Sequence, residues 1–220
     1  MQRREAKIWG WLTAQRAIAR LATAVGLAAI LTAISAPPAA LAQPADPAAA
    51  QIDSFDAALI DTMKAGKTLG PQGRYKRLEP VVARVFDIPT MIRFAVGPSW
   101  ASMTPAQQQA LIQAFNRLTV ASYAHNFNSY SGQRFQINPN VATKGVDKGI
   151  QTQLISPGDA PVSITYRMRQ SGGVWKVIDV SYGAISQLTT RRSDFAGPLA
   201  SGGADGLVAH LNALADKQMK

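Results

Sequence analysis

The chain of 220 residues has no cysteine, two histidines and 13 aspartates and glutamates against 23 lysines and arginines. Without cysteine it can form no disulfide, no thiolate metal site and no thiol nucleophile, and it carries no cleavage-site thiol for lipid attachment. Neither His125 nor His210 has a histidine or carboxylate partner at metal-ligand spacing. Both fall on predicted helices and read as structural or solvent-facing. No Gly-x-Ser-x-Gly elbow occurs, and Gly202-Gly203 is not followed by the Lys-Ser/Thr of a phosphate loop. No five like charges stand in a row, which argues against a nucleic-acid-binding tail. No resident metal or cofactor is expected, and no internal repeat is present.

What the chain does have begins with its first 42 residues. Arg3, Arg4, Lys7, Arg16 and Arg20 form a basic start opposed by Glu5 alone. Residues 21–34 are an uncharged, Ala- and Leu-rich run of 14. As a helix this run spans roughly 21 Å, short of the ~30 Å hydrocarbon core of a bilayer. Ala40-Leu41-Ala42 has the small-x-small pattern of a signal-peptidase site. The pattern predicts a Sec-type signal peptide cleaved after Ala42 and a protein exported to the periplasm. Losing five basic residues and one acidic residue lowers the formal charge from +10 to +6. The remaining 178 residues suit one domain, taken as residues 51–220 behind a flexible Pro/Ala tether at 43–50. The moderate positive charge favours weak attraction to anionic surfaces.

Helical spacing dominates the first half of that domain. Ile52, Phe55, Leu59 and Met63 form one stripe, and the segment from Gly66 to Gly73 is expected to break it. Tyr75, Leu78, Val82 and Val85 form a second stripe, with a kink or a new helix start expected at Pro80. Asp87 reads as the N-cap of a short helix with Pro89 in its first turn, ended by Gly97-Pro98 before Trp100. Thr104 and Gln107 have capping-box spacing. They open the longest helix, whose apolar positions Leu111, Phe115 and Leu118 lead to Tyr123 and Phe127. From Arg134 the period changes. Phe135-Gln136-Ile137 reads as a short strand, residues 142–155 as one or two more, and Pro157-Gly158-Asp159 as a turn.

The most informative segment is residues 162–182. Val162, Ile164, Tyr166 and Met168 alternate with Ser163, Thr165, Arg167 and Arg169, giving one apolar and one basic face. Ser171-Gly172-Gly173 turns the chain into a second strand, residues 174–182. That strand is apolar at Val174, Ile178, Val180 and Tyr182 and also at Trp175 and Val177, which predicts cover on both faces. Residues 184–195 are expected as a loop and short helix, and 204–217 as a terminal helix striped by Leu207, Val208, Leu211 and Leu214. Helices, then a meander, then helices predict an α+β fold with an antiparallel twisted sheet of about four strands packed on several helices.

Asp147, Asp159 and Asp179 lie on or beside this sheet, where a carboxylate can face a pocket as an acid or base. Asp179 is the best placed, alternating with Trp175 and Val177, although hydrogen bonding or pairing with an arginine is the stronger reading of it. No convincing catalytic set emerges. Three classes stay open: a lipid carrier, an isomerase- or hydrolase-like enzyme on a cone-shaped sheet with Asp179 or Asp147 as base, and a periplasmic binding or assembly factor with a filled core.

Val85-Phe86-Asp87-Ile88, Gly97, Trp100 and Tyr123 follow one another in an order that resembles the toluene-tolerance/MlaC family of periplasmic lipid carriers. The likeness continues through Pro161-Val162, Tyr166, residues 175–180, Ile185-Ser186, Arg192 and Phe195. The closing run from Ala184 to Arg192 departs from that family's commonest Gly-Val-Ser and Asn-Tyr-Arg form. It looks more like the hopanoid-associated (HpnM) branch. The resemblance implies an NTF2-like or MlaC-like fold enclosing an apolar cavity, and no enzyme activity. It also implies a monomeric shuttle for a membrane lipid, phospholipid or hopanoid. Such a shuttle exchanges cargo with an inner-membrane ABC/MCE-type transporter and an outer-membrane partner. Val162, Ile164, Tyr166, Met168, Val177, Tyr182 and Ile185 are the expected cavity wall, faced by Tyr123 and Phe127. Arg167, Arg169, Lys176 and Arg191 are the expected basic rim. Trp100, Trp175 and Phe195 read as packing anchors, and Arg192 as a partner for a carboxylate or a helix end.

Overall fold

The first described helix, α1, runs Pro47–Lys64, with Asp46 accepting a bond from the Ala48 backbone N–H at 2.9 Å. The computed structural model describes residues 46–220, so the expected leader and residues 43–45 of the expected tether lie outside the described residues. Residues 47–50, expected as tether, instead form the first helical turn. Proline is suited to a first turn and alanine favours helix, and Ala48 is fully buried. In α2 (Gly66–Val85) the expected break narrows to one residue, Gly70, at φ 61°. The helix then continues through Pro80 without a kink. Pro80 and Lys76 are both exposed, so water can satisfy the carbonyl that loses its bond.

Two caps sit where the sequence places them. Asp87 accepts from the Thr90 N–H at 3.1 Å and starts α3, Ile88–Val96. A 3-10 segment, Gly97–Ser102, follows. Thr104 and Gln107 form a reciprocal capping box at the start of α4, Pro105–Asn126. The last helix, α5 (Gln187–Gln218), bends at Gly203. It packs along α4 and α3, and Arg117 of α4 pairs with Asp216 at 2.6 Å. His125 brings a ring nitrogen 3.1 Å from the Gln218 carbonyl.

The sheet has six strands rather than about four. They are β1 (Arg134–Ile137), β2 (Ala142–Lys144), β3 (Asp147–Ile155), β4 (Val162–Ser171), β5 (Val174–Tyr182) and β6 (Ile185–Ser186), all antiparallel. The order is β1-β3-β4-β5-β6, with β2 sharing the β3 edge. Register puts Ile150 opposite Tyr166, Thr152 opposite Ile164, and Leu154 opposite Val162 on one face. Helix α1 packs over that inner face, and the outer face is largely polar.

The expectation of apolar cover on both faces of β5 narrows to one residue at a β-bulge, Ile178, which is 1% exposed. Arg167 pairs with Asp179 but Met168 pairs with Val177, leaving Ile178 as the extra residue. Across the bulge the inner parity switches from odd to even positions. Trp175 and Val177 therefore share the inner face with Val180 and Tyr182. The β5 edge facing away from β4 is covered at Val177, whose carbonyl accepts from the Asp87 N–H at 2.9 Å.

Candidate functional site

The apolar alternation of β4, continued across β5 by the bulge, carries Val162, Ile164, Tyr166, Met168, Val177 and Tyr182 to one face. Tyr123 and Phe127 from α4 meet that face through Phe55 of α1. The Phe55 ring lies 5.2 Å from Tyr123, 5.3 Å from Phe86 and 6.0 Å from Tyr166, in each case near-perpendicular. Tyr123 stacks on Phe127 at 5.8 Å, and Phe127 reaches Phe135 at 6.1 Å. Such edge-on and offset contacts are the favoured geometry of aromatic pairs. Eight of the nine residues expected to wall a cavity thus converge on one interior. The ninth, Ile185, does not: it stands 50% exposed on the short strand β6, past the end of the covered sheet.

This interior holds one carboxyl that the sequence reading passed over. Asp56 follows Phe55 on α1, four residues after Ile52 and three before Leu59, so helical geometry turns it inward with them. It is 2% exposed, and burial pushes its pKa up to about 8. Thr152 Oγ1 lies 3.1 Å from Asp56 Oδ2 and 3.3 Å from the Gln136 carbonyl. A hydroxyl has one proton, so both contacts are made together when a protonated Asp56 donates to Thr152 and Thr152 donates to Gln136. Asp56 Oδ1 has no partner. Burial also drives the Tyr123 and Tyr166 phenols well above their usual range and Tyr182 to about 12. Burial thus favours the neutral form of these four groups at neutral pH, while the buried Arg191 guanidinium acts on Tyr182 from the edge of the same interior.

The two carboxylates considered as bases are committed elsewhere, on the outer face. Asp147 is gripped by Arg169, with Nε at 2.6 Å and a second nitrogen at 3.0 Å, and by Arg167, whose Nε is at 2.7 Å. These bonds, Arg169 first, hold its pKa below the ordinary carboxylate value, the reverse of what a general base needs. Asp179 accepts from Ser186 Oγ at 2.6 Å and from the Leu188 N–H at 3.2 Å. It thereby supports the N-terminus of α5, where Ser186 is the cap.

The expected basic rim divides. Arg167 and Arg169 are on the outer face, bonded to Asp147, and Lys176 is on that face two strands away, reaching the Ala83 carbonyl. Arg191 is buried in α5, where burial lowers its pKa and Asp194 and Tyr182 oppose that shift. A position on the first turns of α5, which pack inward, decides this, and strand alternation gives no hint of it. Arg192 lies beside it on the exposed side. Its guanidinium rests against Gly97, the residue ending α3, so close that a Cβ there would be 2.5 Å from it. A cation at a helix C-terminus is favourable. Arg192 also borders a cleft of about 560 Å³ between α3 and α5, lined by Val96, Met103 and Leu199 among others. None of the nine expected wall residues reaches this cleft. The expected anchors behave as such: Phe195 is fully buried and edge-on to Phe115, and Trp100 and Trp175 are half-buried against the core.

Two further residues fix the site from behind. Arg74 donates from Nε to the Ala124 carbonyl at 2.7 Å and from a terminal nitrogen to the Gly66 carbonyl at 2.9 Å. It joins the end of α4 to the start of α2. Gly66 is pressed so closely on the Asn128 carbonyl that an added Cβ would be 2.0 Å from the oxygen. Each acts through a contact distant in sequence, which spacing does not reveal.

The architecture is that of a known structure, the phospholipid-binding protein from Ralstonia solanacearum in complex with a phospholipid. It matches with a TM-score of 0.70 and 24% identity, over 80% of this chain and 100% of that one. The toluene tolerance protein ttg2D of Pseudomonas putida is 23% identical over 151 residues, 67% of this chain and 70% of that protein. The family model described as MlaC protein matches residues 53–213, and the chain belongs to that family.

Proposed function

We propose that the protein is a periplasmic lipid carrier that encloses acyl or other apolar lipid tails between the inner sheet face and helices α1 and α4. The observation that carries this reading is the convergence of Val162, Ile164, Tyr166, Met168, Val177, Tyr182, Tyr123 and Phe127 on one largely apolar interior. Family membership and the fold shared with a phospholipid-binding protein support it. Burying methylenes is favourable by ~0.8 kcal/mol each, so two tails of about 30 methylenes gain at most some 24 kcal/mol before the costs of binding. Tail burial then supplies most of the affinity, and the headgroup needs few contacts. In this reading the leader directs export and is removed after Ala42, and residues 46–220 act as one monomeric domain. The carrier hands lipid between an inner-membrane ABC-type transporter and an outer-membrane partner. The cargo is a phospholipid or a hopanoid.

The decisive experiment is extraction and mass spectrometry of lipid from protein purified from the periplasm, with uptake of fluorescent phospholipid from vesicles as its complement. Co-purifying lipid in a fixed ratio, reduced by Tyr166→Asp or Met168→Asp, is expected. An empty protein that takes up no labelled lipid would sink the reading. The two carboxylates named as bases for the enzyme alternative, Asp147 and Asp179, are held by structural bonds, which favours the carrier reading.

A further inference from the structure

Two hairpin tips lie at the same end of the sheet. The turn between β2 and β3 carries Gly145 and Val146, and the turn between β4 and β5 carries Gly172 and Gly173 ahead of Val174. Pairing of Asp147 with Arg169 puts the two tips side by side, about 10 Å apart at two strand spacings. Val146 is 72% exposed and Val174 50% exposed, among the few large apolar side chains the described residues leave in water.

Behind the tips runs a rung of charge. Register sets Lys144 opposite Asp147, Asp147 opposite Arg169, and Arg169 opposite Lys176, so the four cross β2, β3, β4 and β5 in line on the outer face. Arg167 joins them through its bond to Asp147. The rung and its neighbour thus carry four cations and one carboxylate, and only Arg167 and Arg169 bond Asp147. Arg169 and Lys176 are like charges directly opposite each other, an arrangement that weakens a sheet rather than supporting it. Asp147 neutralises one charge, and Lys176 finds only the Ala83 carbonyl, at 3.3 Å. The fold therefore keeps a surplus of positive charge beside two exposed valines. Apolar tips backed by cations match the interfacial zone of an anionic bilayer, where valine enters the acyl boundary and lysine and arginine stay at phosphate depth.

We propose that this end of the sheet is a docking surface for anionic phospholipid bilayers, with Val146 and Val174 inserting and Lys144, Arg167, Arg169 and Lys176 engaging lipid phosphates. The surface is separate from the lipid-enclosing interior, which lies on the opposite face, and it can fail or hold independently of it.

The test is co-sedimentation of purified protein with protein-free vesicles of phosphatidylcholine, with and without phosphatidylglycerol. Retained lipid is quantified by mass spectrometry on the same samples. Wild-type protein is expected to sediment with the anionic vesicles and to stay in solution with the neutral ones. The V146D/V174D double variant and Lys144→Glu alter only exposed positions. Each is expected to lower partitioning by at least about tenfold while thermal unfolding and retained lipid match wild type. Wild type that ignores anionic vesicles, or variants that bind them as well as wild type does, would overturn the proposal. So would sedimentation with native membrane fragments but not with protein-free vesicles, because the partner would then be a membrane protein. Loss of retained lipid with unchanged vesicle binding would instead count against the carrier reading alone.

Discussion

Asp56 shows how much one residue can set. Its folded pKa of about 8 stands above the ordinary value of 3.8, so between those limits the folded protein holds a proton that the unfolded chain releases. The group's contribution is fully present below about pH 4 and is lost as pH rises through 8. Wild-type stability, measured by urea unfolding across that window, should therefore fall by a few kcal/mol more than that of Asp56→Asn, which does not titrate. Parallel pH profiles for the two proteins would show that Asp56 is ionised in the fold. Glycine makes the complementary case. Gly66→Ala drives a methyl to 2.0 Å from the Asn128 oxygen and is expected to cost on the order of 1–3 kcal/mol. Gly202→Ala meets nothing within 4 Å in the middle of α5 and has no proline beside it. It should stabilise by up to about 1 kcal/mol, since alanine is the better helix former. Thermal unfolding of the pair checks both signs at once.

At the scale of elements, β5 is the instructive one. Without Ile178 its sequence would read Trp175, Lys176, Val177, Asp179, Val180, Ser181, Tyr182, an unbroken alternation of apolar and polar residues. The bulge is thus written in the sequence as one surplus apolar residue, the buried Ile178, which period-two reading extends to a whole second face. Deleting Ile178 should leave a regular ladder and a folded, somewhat destabilised protein. Deleting Thr165 from β4 should send Ile164 and Tyr166 to opposite faces and abolish folding. Circular dichroism and gel filtration separate the two outcomes, and equal damage from both deletions would speak against the bulge. What was legible beforehand was local: the Asp87 cap, the capping box at Thr104, the alternation of β4, and the stripes of α1 and α4. What was not legible depends on pairing across the fold. Whether Pro80 interrupts a helix depends on solvent reaching the Lys76 carbonyl. Whether Arg191 faces water depends on how α5 packs. Asp56 lay on a visible apolar stripe, and a carboxylate at stripe spacing was the signal to follow.

The whole molecule separates its two faces by physical force as well as by position. As a lipid-tail site, the inner face would meet its ligand through area removed from water, a term that moderate salt barely changes. The outer face carries the cations, in a chain whose residues 43–220 have a net charge of +6. Attraction between exposed charges is screened beyond about 10 Å at 0.1 M salt and about 3 Å at 1 M. Raising salt between those limits should therefore release the protein from anionic vesicles while leaving lipid already enclosed in its interior in place. Sedimentation and lipid mass spectrometry on the same samples give both readings together. If high salt emptied the interior as readily as it broke vesicle binding, headgroup charge would be holding the cargo. The cations around Asp147 would then belong to the lipid site itself. The geometry argues against that outcome, because Arg167 and Arg169 project from the face of β4 opposite to Tyr166 and Met168.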